Sequence, residues 1–196
     1  WADKLTTDSK IVKKMYKEKL NVNFEFFYAP LDIKKFEKLK NVEKKEKQII
    51  FIGRDSYEKG IDILKGIESK IDAKIIYCTD MKWEDAMENL KASRLLVIPS
   101  RMESIPQVIK EAFYLKIPII ATNVGGIPEL ITDNKTGILI PPNDPKSLEN
   151  AISKLLADNQ TSKRLSDAGY EFVMENLTWE ILLPKYVKFY EDLQKS

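Results

Sequence analysis

The fold is decided by one stretch of sequence, LLVIPSRMESIPQVIKEAFYLKIPIIAT, residues Leu95–Thr122. Its two ends, Leu95–Pro99 and Ile117–Thr122, are rich in Ile, Val and Leu. Such short apolar runs are typical of strands in a parallel sheet that is buried on both faces. Pro106 suits the first turn of a helix, and we predict a helix over 106–116. The stretch therefore predicts a strand, a helix and a second strand parallel to the first.

The same alternation extends toward both ends of the chain. We predict further strands at Gln48–Ile52, Lys74–Cys78 and Gly137–Ile140, and further helices at about 60–70, 83–93 and 127–132. Alternating strands and helices indicate an α/β fold. We expect a Rossmann-like, doubly wound parallel sheet with helices on both faces, in which ligands bind at the carboxyl ends of the strands.

The two flanks are predicted to be mainly helical. A helix is expected over residues 8–20, followed by a lysine-rich connector to residue 47. This basic flank either contacts an anionic membrane surface or forms a solvated linker, and we favour the linker. In the last third, helices are expected from Asp144, over 161–176 and from Thr178.

The last of these helices has an unusually large apolar surface, formed by Trp179, Leu182, Leu183, Tyr186, Val187, Phe189 and Tyr190. The default interpretation is that this surface packs on the rest of the chain. The alternative is that it docks onto a second domain.

Composition excludes several classes of protein. With 196 residues, 43% of them hydrophobic and 32% charged, the chain can form one domain with a substantial core. A net charge of +2 argues against a dedicated nucleic-acid-binding protein. There is no histidine, which excludes a histidine base or histidine metal site from this chain, and the single cysteine excludes an internal disulfide. No apolar run approaches the ~18 residues of a membrane helix.

Since the first residue is Trp1 and no signal peptide follows it, the simplest interpretation is a fragment of a longer protein.

The loop after the first long strand, Gly53–Gly60, reads GRDSYEKG and is a candidate phosphate site. Its first glycine permits a sharp turn or a close approach to a ligand. Arg54 can bind phosphate in a bidentate manner, and Lys59 supplies a point charge. Its last glycine opens a helix whose N-terminal amides favour an anion. The alternative is that both cations pair with Asp55 and Glu58 at the surface.

The second candidate site follows the strand Leu95–Pro99. Glu103 lies just before the predicted helix and Glu111 about a turn and a half inside it. Carboxylates can accept hydrogen bonds from paired sugar hydroxyls, although the Glu-x7-Glu spacing alone is a weak signal. Gly125 and Gly126 follow the next strand, and indicate either a loop where the backbone nears a ligand or an ordinary tight turn.

Three segments resemble one enzyme family. Residues Glu103–Ile152, ESIPQVIKEAFYLKIPIIATNVGGIPELITDNKTGILIPPNDPKSLENAI, are similar to the C-terminal domain of GT-B glycosyltransferases of the large retaining family 4. Residues Gly53–Leu64, GRDSYEKGIDIL, resemble that family's Gly-Arg…Lys-Gly segment. Residues Ala2–Tyr16, ADKLTTDSKIVKKMY, resemble the point where such chains pass into the second domain. The likeness covers nearly the whole chain and is strongest over 95–158.

The resemblance implies the donor-binding domain of a glycosyltransferase that uses neither a metal nor a cofactor. Such an enzyme would transfer a hexose from a UDP- or GDP-sugar to a glycan, lipid or small-molecule acceptor. By position, Arg54 and Lys59 would hold the diphosphate and stabilise the leaving charge, while Glu103 would bind sugar hydroxyls. Glu111 would hold the ribose hydroxyls. Further donor contacts would come from Gly53, the backbone amides of Ser104 and Ile105, Pro106, and a base pocket near Thr79 and Met81.

The resemblance also implies a division of the chain and a set of partners. Residues 1–47 would form a hinge-proximal helix and a basic connector, and residues 48–177 the Rossmann-like nucleotide-sugar-binding domain. Residues 178–196 would form a helix that packs back toward an N-terminal domain outside this chain. The partners would be the donor, that domain and the acceptor, without nucleic acid. We expect a cytoplasmic enzyme of polysaccharide or glycolipid biosynthesis, with peripheral contact at the inner face of the membrane as an option.

Two departures from the family pattern bear on function. Between the strands Gln48–Ile52 and Leu95–Pro99 the family usually has two strands, whereas only Lys74–Cys78 is predicted here, so the base pocket is shortened. The N-terminal domain is absent, and we predict that this chain alone has no transferase activity. The alternatives are a degenerate, non-catalytic nucleotide-binding or interaction module, a GT-B sugar-nucleotide epimerase and a phosphorylase.

Overall fold

A five-stranded parallel sheet forms the centre of the structure, a computed structural model that describes residues 4–194. The strands in the described residues are β1 Thr6–Thr7, β2 Glu25–Phe26, β3 Lys45–Ile52, β4 Lys74–Cys78, β5 Ser93–Ile98, β6 Ile119–Thr122 and β7 Ile138–Ile140. The α-helices are α1 Lys10–Leu20, α2 Ile61–Ile67, α3 Trp83–Ala92, α4 Gln107–Tyr114, α5 Ile127–Leu130, α6 Pro145–Ala157, α7 Asn159–Asn176 and α8 Trp179–Gln194. Short 3-10 helices lie at Ile33–Lys38, Tyr57–Lys59 and Glu68–Lys70.

The order of strands in the large sheet is β4-β3-β5-β6-β7, and all neighbouring strands are parallel. The chain adds β4 on one side of β3 and then places β5 on the other side, with Ile50 opposite Leu96. The winding direction therefore reverses between β3 and β5. In an open α/β sheet, such a reversal leaves a crevice at the carboxyl ends of the two strands.

Apolar side chains of β3 and β5 alternate between two separate cores, one on each face of the sheet. Ile50 and Leu96 pack on one face, in the core that includes α3 and α4. Ile49 and Leu95 pack on the other face, in the core that includes α2 and α6. Because both faces are covered by helices, the strands read as continuous apolar runs in the sequence. The predicted fold class, a doubly wound parallel α/β sheet, is confirmed.

β3 and α2 have boundaries that differ from the predicted ones, and polar residues lie at both boundaries. β3 begins at Lys45 rather than at Gln48, so the predicted domain start at residue 48 falls inside a strand. Its first three residues are exposed, and they carry no apolar signal that the sequence pattern could use. The helix predicted over 60–70 is α-helical only to Ile67 and continues as a 3-10 turn.

The connector between α1 and β3 is not a solvated linker throughout, and the preferred interpretation of the basic flank is corrected on this point. Leu31 and Phe36 are buried in the same core as α3 and α4. The lysines around Phe36 point outward and are exposed. From α4, the fully buried Lys110 donates a hydrogen bond of 2.6 Å from Nζ to the carbonyl oxygen of Ala29. Burial lowers the pKa of Lys110 to about 8.

A single carboxylate holds the start of α1 against the rest of the molecule. Glu129 Oε1 accepts hydrogen bonds from Ser9 Oγ at 2.9 Å and from the amide of Ile11 at 3.0 Å. Glu129 Oε2 accepts one from the amide of Lys10 at 2.9 Å. A negative charge at a helix N-terminus is favourable, because it satisfies free amides and opposes the helix dipole. α1 has no fully buried side chain, and the cap acts together with the packing of Tyr16 on Phe24 to attach the helix.

Candidate functional site

The loops that follow β3 and β5 lie side by side at the carboxyl edge of the sheet, where the winding reverses. Backbone amides of Arg101 and Met102 donate to the carbonyl oxygen of Glu58, at 2.7 and 3.3 Å. These bonds join the two loops that the sequence selected as candidate sites. The predicted diphosphate loop and the loop that carries Glu103 therefore form one continuous surface.

Lys59 and Glu103 meet at the centre of this surface. Lys59 Nζ lies 2.5 Å from Glu103 Oε1, and the same oxygen accepts a hydrogen bond of 2.9 Å from Ser100 Oγ. The side chains are 23% and 9% exposed, so the pair is only partly open to solvent. A charge-assisted bond in such a place is stronger than at a free surface. The alternative that Lys59 pairs with a neighbouring acid is wrong, because its partner comes from the other loop.

Arg54 differs from Lys59 in having no fixed partner. It is exposed and forms no hydrogen bond or ion pair with any residue in 4–194. The pKa of Glu58 is lowered chiefly by a hydrogen bond from its own backbone amide, and Arg54 makes a smaller contribution. Asp55 instead pairs with Lys65 at 3.2 Å. The Arg54 guanidinium is thus free to take an anionic ligand.

Glycines allow the loops to approach one another closely. Gly60 has a φ of +66°, and a Cβ there would lie 2.0 Å from the carbonyl oxygen of Pro99. Gly53 does not have a positive φ, and a Cβ at this position would only touch the side chains of Phe51 and Lys59. The sharp turn expected at the start of the loop therefore occurs at its end.

The glycine pair after β6 lies directly behind the Glu103 loop. A Cβ on Gly125 would lie 1.8 Å from the carbonyl oxygen of Glu103, and one on Gly126 would lie 2.0 Å from that of Ser104. Gly125 also has a φ of +52°. Only glycine fits at these two positions, because the backbone of the predicted site residues Glu103 and Ser104 lies so close.

The amides expected to face the donor are available. Ser104 is exposed, while the Ile105 side chain is buried in the core and Pro106 is buried as the residue before α4. Within residues 4–194, no group accepts a hydrogen bond from the backbone N–H of Ser104 or Ile105. These two amides precede a helix N-terminus, which favours an anion or an oxygen acceptor.

Glu111 lies on α4 and faces α3 rather than the Lys59–Glu103 pair. Its Oε1 accepts a hydrogen bond of 2.7 Å from Trp83 Nε1. Burial raises the pKa of Glu111, and the indole hydrogen bond opposes part of that rise. Lys110 and Lys35 also favour the charged form, although neither forms an ion pair with Glu111. Trp83 is a site residue that the sequence analysis missed.

The two residues predicted for the base pocket follow β4. Thr79 is half-buried and Met81 is 47% exposed, and they precede Trp83 by four and two residues. As predicted, a single strand, β4, lies between β3 and β5 in the sequence. The structure brings Lys59, Glu103, Ser104 and Ile105 together, but it shows no contact of Thr79 or Met81 with them.

Arg101 is a second residue that the sequence analysis did not select, and it fastens the loops together. Its guanidinium binds Asp62 through two hydrogen bonds of 2.7 and 2.8 Å. It also donates to the carbonyl oxygen of Tyr57 and to Asn143 Oδ1. These contacts join the loop after β5 to α2 and to the turn before α6. A signal was present in the sequence, since this arginine lies three residues after the end of β5.

Within residues 4–194 there is no cluster of three or more Cys, Asp or Glu side chains arranged to hold a metal ion. A search of the same residues finds no helix with the length and apolar character needed to cross a bilayer.

The chain is similar in sequence to known glycosyltransferases. The chain matches the family described as glycosyl transferases group 1 over residues 67–172, which is more than half of its length. An uncharacterized glycosyltransferase of Methanocaldococcus jannaschii is 29% identical over 168 residues, covering 74% of this chain and 48% of the relative. The chain thus spans about half the length of this curated relative.

Solved structures show the same fold. Sucrose-phosphate synthase from Thermosynechococcus elongatus superposes with a TM-score of 0.83 at 21% identity, over 100% of this chain and 59% of that protein. Anabaena HepE, solved in complex with UDP and glucose, superposes with a TM-score of 0.82 at 16% identity, over 97% of this chain and 63% of that protein. At these identities the likeness concerns the fold, and it agrees with the predicted fold class.

Proposed function

Because the chain belongs to the glycosyl transferases group 1 family, we propose that it is the donor-binding domain of a retaining, metal-independent family 4 glycosyltransferase. The enzyme transfers a hexose from a UDP- or GDP-sugar to a glycan, lipid or small-molecule acceptor. It acts in the cytoplasm, with the exposed lysines of the basic flank available for an anionic membrane surface. The observation that carries the proposal is the meeting of Lys59, Ser100 and Glu103 at the reversal point of the sheet.

In the proposed site each end of the donor meets a different group. Arg54 and Lys59 bind the diphosphate, and the amides of Ser104 and Ile105 donate to the distal phosphate or the sugar. Glu103 accepts hydrogen bonds from sugar hydroxyls, which are fixed donors on the ring. Glu111 accepts from the ribose hydroxyls. Gly53, Pro106, Thr79 and Met81 complete the donor contacts.

The chemical role of the cations follows from the charge that develops during transfer. The bond between the anomeric carbon and the phosphate oxygen breaks, and its electron pair leaves with the nucleoside diphosphate. The acceptor oxygen bonds to the anomeric carbon, and its proton passes to an oxygen of the departing nucleoside diphosphate. Positive groups already fixed beside the leaving phosphate stabilise that charge without further reorganisation. Lys59 is suited to this role, because Glu103 holds it in place before the donor arrives.

The acceptor side is proposed to come from an N-terminal domain of the full-length protein. The matched curated relative is about twice as long as the region that this chain covers. Large apolar side chains stay exposed on α1 and α8, among them Ile11, Leu20, Leu183, Val187 and Tyr190. Some aromatic residues of α8 do pack on this chain, since Tyr186 and Phe189 both contact Phe27. The exposed remainder is the surface that we assign to the N-terminal domain.

Titration of the 196-residue chain with nucleotides tests the donor site. UDP, GDP and UDP-glucose are added to the wild-type chain, to Glu111→Ala and to Lys146→Met, which changes an exposed lysine on α6. We expect one nucleotide to bind, Glu111→Ala to lose that binding and Lys146→Met to retain it. We also expect no transfer by this chain alone, and sustained turnover by it would contradict that expectation.

The shortened region between β3 and β5 favours one competing function, a degenerate, non-catalytic module. That function predicts no nucleotide binding in either the chain or the full-length protein, and no effect of Glu111→Ala. Binding by the full-length protein alone would instead show that the second domain completes the site.

A further inference from the structure

Trp83 is held in one orientation at the start of α3. Its ring contacts the edge of Phe36, with the centroids 5.1 Å apart and the planes at 79°. Phe36 is itself buried and packs on Tyr114 at 4.6 Å. Because the indole is fixed by this packing, its only hydrogen-bond donor has a fixed direction. That donor is the Nε1–H that binds Glu111 at 2.7 Å.

The Glu111 carboxylate has one oxygen engaged and one oxygen free. Oε2 accepts no hydrogen bond from any group in residues 4–194, and it is not sealed from solvent. The carboxylate is nevertheless largely desolvated, which would favour a neutral carboxyl without the indole and the nearby cations. A buried acceptor with a vacant oxygen is suited to a ligand that supplies hydroxyl donors.

We propose that Trp83 is a positioning residue for ribose recognition, which fixes one oxygen of Glu111 so that the other receives the ribose hydroxyls. The inference rests on the proposed donor site and adds a specificity to it: the site selects ribonucleoside over 2′-deoxyribonucleoside diphosphates. The indole is suited to this task because it only donates. It therefore holds the carboxylate without competing for the hydroxyl protons of the ligand.

A purely structural role for Trp83 makes a different prediction. If the side chain only fills space between Phe36 and α4, Trp83→Phe keeps most of the contact, and any loss of affinity affects ribo- and deoxyribonucleotides equally. If the N–H positions Glu111, the same substitution reduces the difference between the two nucleotides. The ratio of affinities therefore separates the two roles.

The experiment measures dissociation constants for UDP and 2′-deoxy-UDP, with GDP and 2′-deoxy-GDP in parallel, by calorimetry on the 196-residue chain. We expect the wild type to prefer the ribonucleotide by about tenfold or more, the range for a hydrogen bond to a charged group. In Trp83→Phe the preference should fall below about threefold, mainly through weaker binding of the ribonucleotide. Trp179→Phe is the matched control, since this tryptophan is half-exposed on α8, and it should retain the wild-type ratio.

The outcomes distinguish failure of the inference from failure of the proposed function. If neither the wild-type chain nor the full-length protein binds UDP or GDP, the donor site and the inference both fail. If it binds a ribonucleotide and Trp83→Phe keeps the full preference, only the role of Trp83 fails. A wild-type chain that binds the ribonucleotide and the 2′-deoxyribonucleotide equally well would also overturn that role.

A measurement without mutation at Trp83 covers the case in which Trp83→Phe does not fold. The chain has three tryptophans, so few indole N–H resonances need to be assigned, and Trp179→Phe identifies one of them. We expect saturating UDP to move the Trp83 indole resonance, and 2′-deoxy-UDP to move it less. An indole resonance that ignores UDP at saturation would contradict the proposal.

Discussion

Glu103 and Glu111 lie in one short segment, but the regions around them are organised in opposite ways. Glu103 lies in the middle of a loop, and its Oε1 is bound by a cation and a hydroxyl, Lys59 and Ser100. Glu111 lies within a helix, and its Oε1 is bound by the neutral indole of Trp83. The first carboxylate has its charge compensated by direct contact, whereas the second is held in place with its charge largely uncompensated.

This difference indicates how each region would respond to a donor. In the proposed site, the diphosphate would share Lys59, which Glu103 already holds in place. At Glu111 a ligand adds hydrogen bonds to a free oxygen, and nothing has to be displaced. Glu103 would therefore keep its cation when the donor binds, and Glu111 would gain hydrogen-bond partners that it lacks in the free chain.

The largest expected effect comes from breaking the support behind Glu103. In Gly126→Ala the new Cβ would lie 2.0 Å from the carbonyl oxygen of Ser104, so the loop must move. We expect a loss of about 3 kcal/mol in the free energy of unfolding and loss of UDP binding. Urea denaturation and calorimetry measure the two effects. Gly66→Ala is the control, because a Cβ there has nothing within 4 Å, and in a helix it should add about 0.5–1 kcal/mol.

A smaller effect is expected at the two cations, where Lys59 is paired with Glu103 and Arg54 is unpaired among the described residues. Lys59→Met removes the partner of Glu103, and we expect about a 10- to 100-fold loss in UDP affinity together with a lower melting temperature. Arg54→Met should also weaken UDP binding, but the melting temperature should hardly change, because Arg54 has no partner within residues 4–194. Equal changes in melting temperature would contradict the contrast between these two residues.

The smallest effect concerns the pH dependence at Glu111. Because burial raises its pKa, Glu111 takes up a proton at a higher pH than an exposed glutamate. The preference for UDP over 2′-deoxy-UDP should therefore fall as the pH is lowered through this raised pKa. The folded state binds this proton more tightly than the unfolded state, so the contribution of Glu111 to stability should rise over the same interval.

Glu111→Gln provides the reference for this prediction. It cannot titrate, so the ratio of UDP to 2′-deoxy-UDP affinity should not change with pH in that variant. Effects of pH on the diphosphate itself are common to both nucleotides and to both proteins. A wild-type ratio that stays constant down to the normal range of glutamate would contradict the prediction.

The sheet could be predicted from the sequence because its strands are buried on both faces. Runs such as Leu95–Pro99 contain little except large apolar residues, and their short length favours a buried strand over a buried helix. β1 and β2 escaped prediction because two residues form no pattern. The burial of Phe36 was not predicted, because its sequence neighbours are mostly charged. A single buried aromatic residue in a polar run produces no hydrophobic periodicity.

Lys59 and Glu103 could be selected from the sequence as candidates, but the contact between them could not be predicted. Lys59 and Glu103 are 44 residues apart, and their meeting depends on the placement of β5 beside β3. Trp83 lies in the shortened region, where the resemblance to family 4 offers no motif to match. The close approach of Gly125 and Gly126 to the Glu103 loop is a property of the backbone, which the side-chain pattern does not encode.

The cap that Glu129 forms on α1 has a mechanical consequence. Residues 125–129 touch the Glu103 loop at one end, through the two glycines, and the first amides of α1 at the other. This segment couples the two regions. A shift of α1 along its axis must either move Glu129 or break the three hydrogen bonds that Glu129 accepts. A displacement of α1 would therefore be transmitted through five residues to the backbone next to Glu103. The first helix and the loop that carries Glu103 therefore share one attachment segment, residues 125–129.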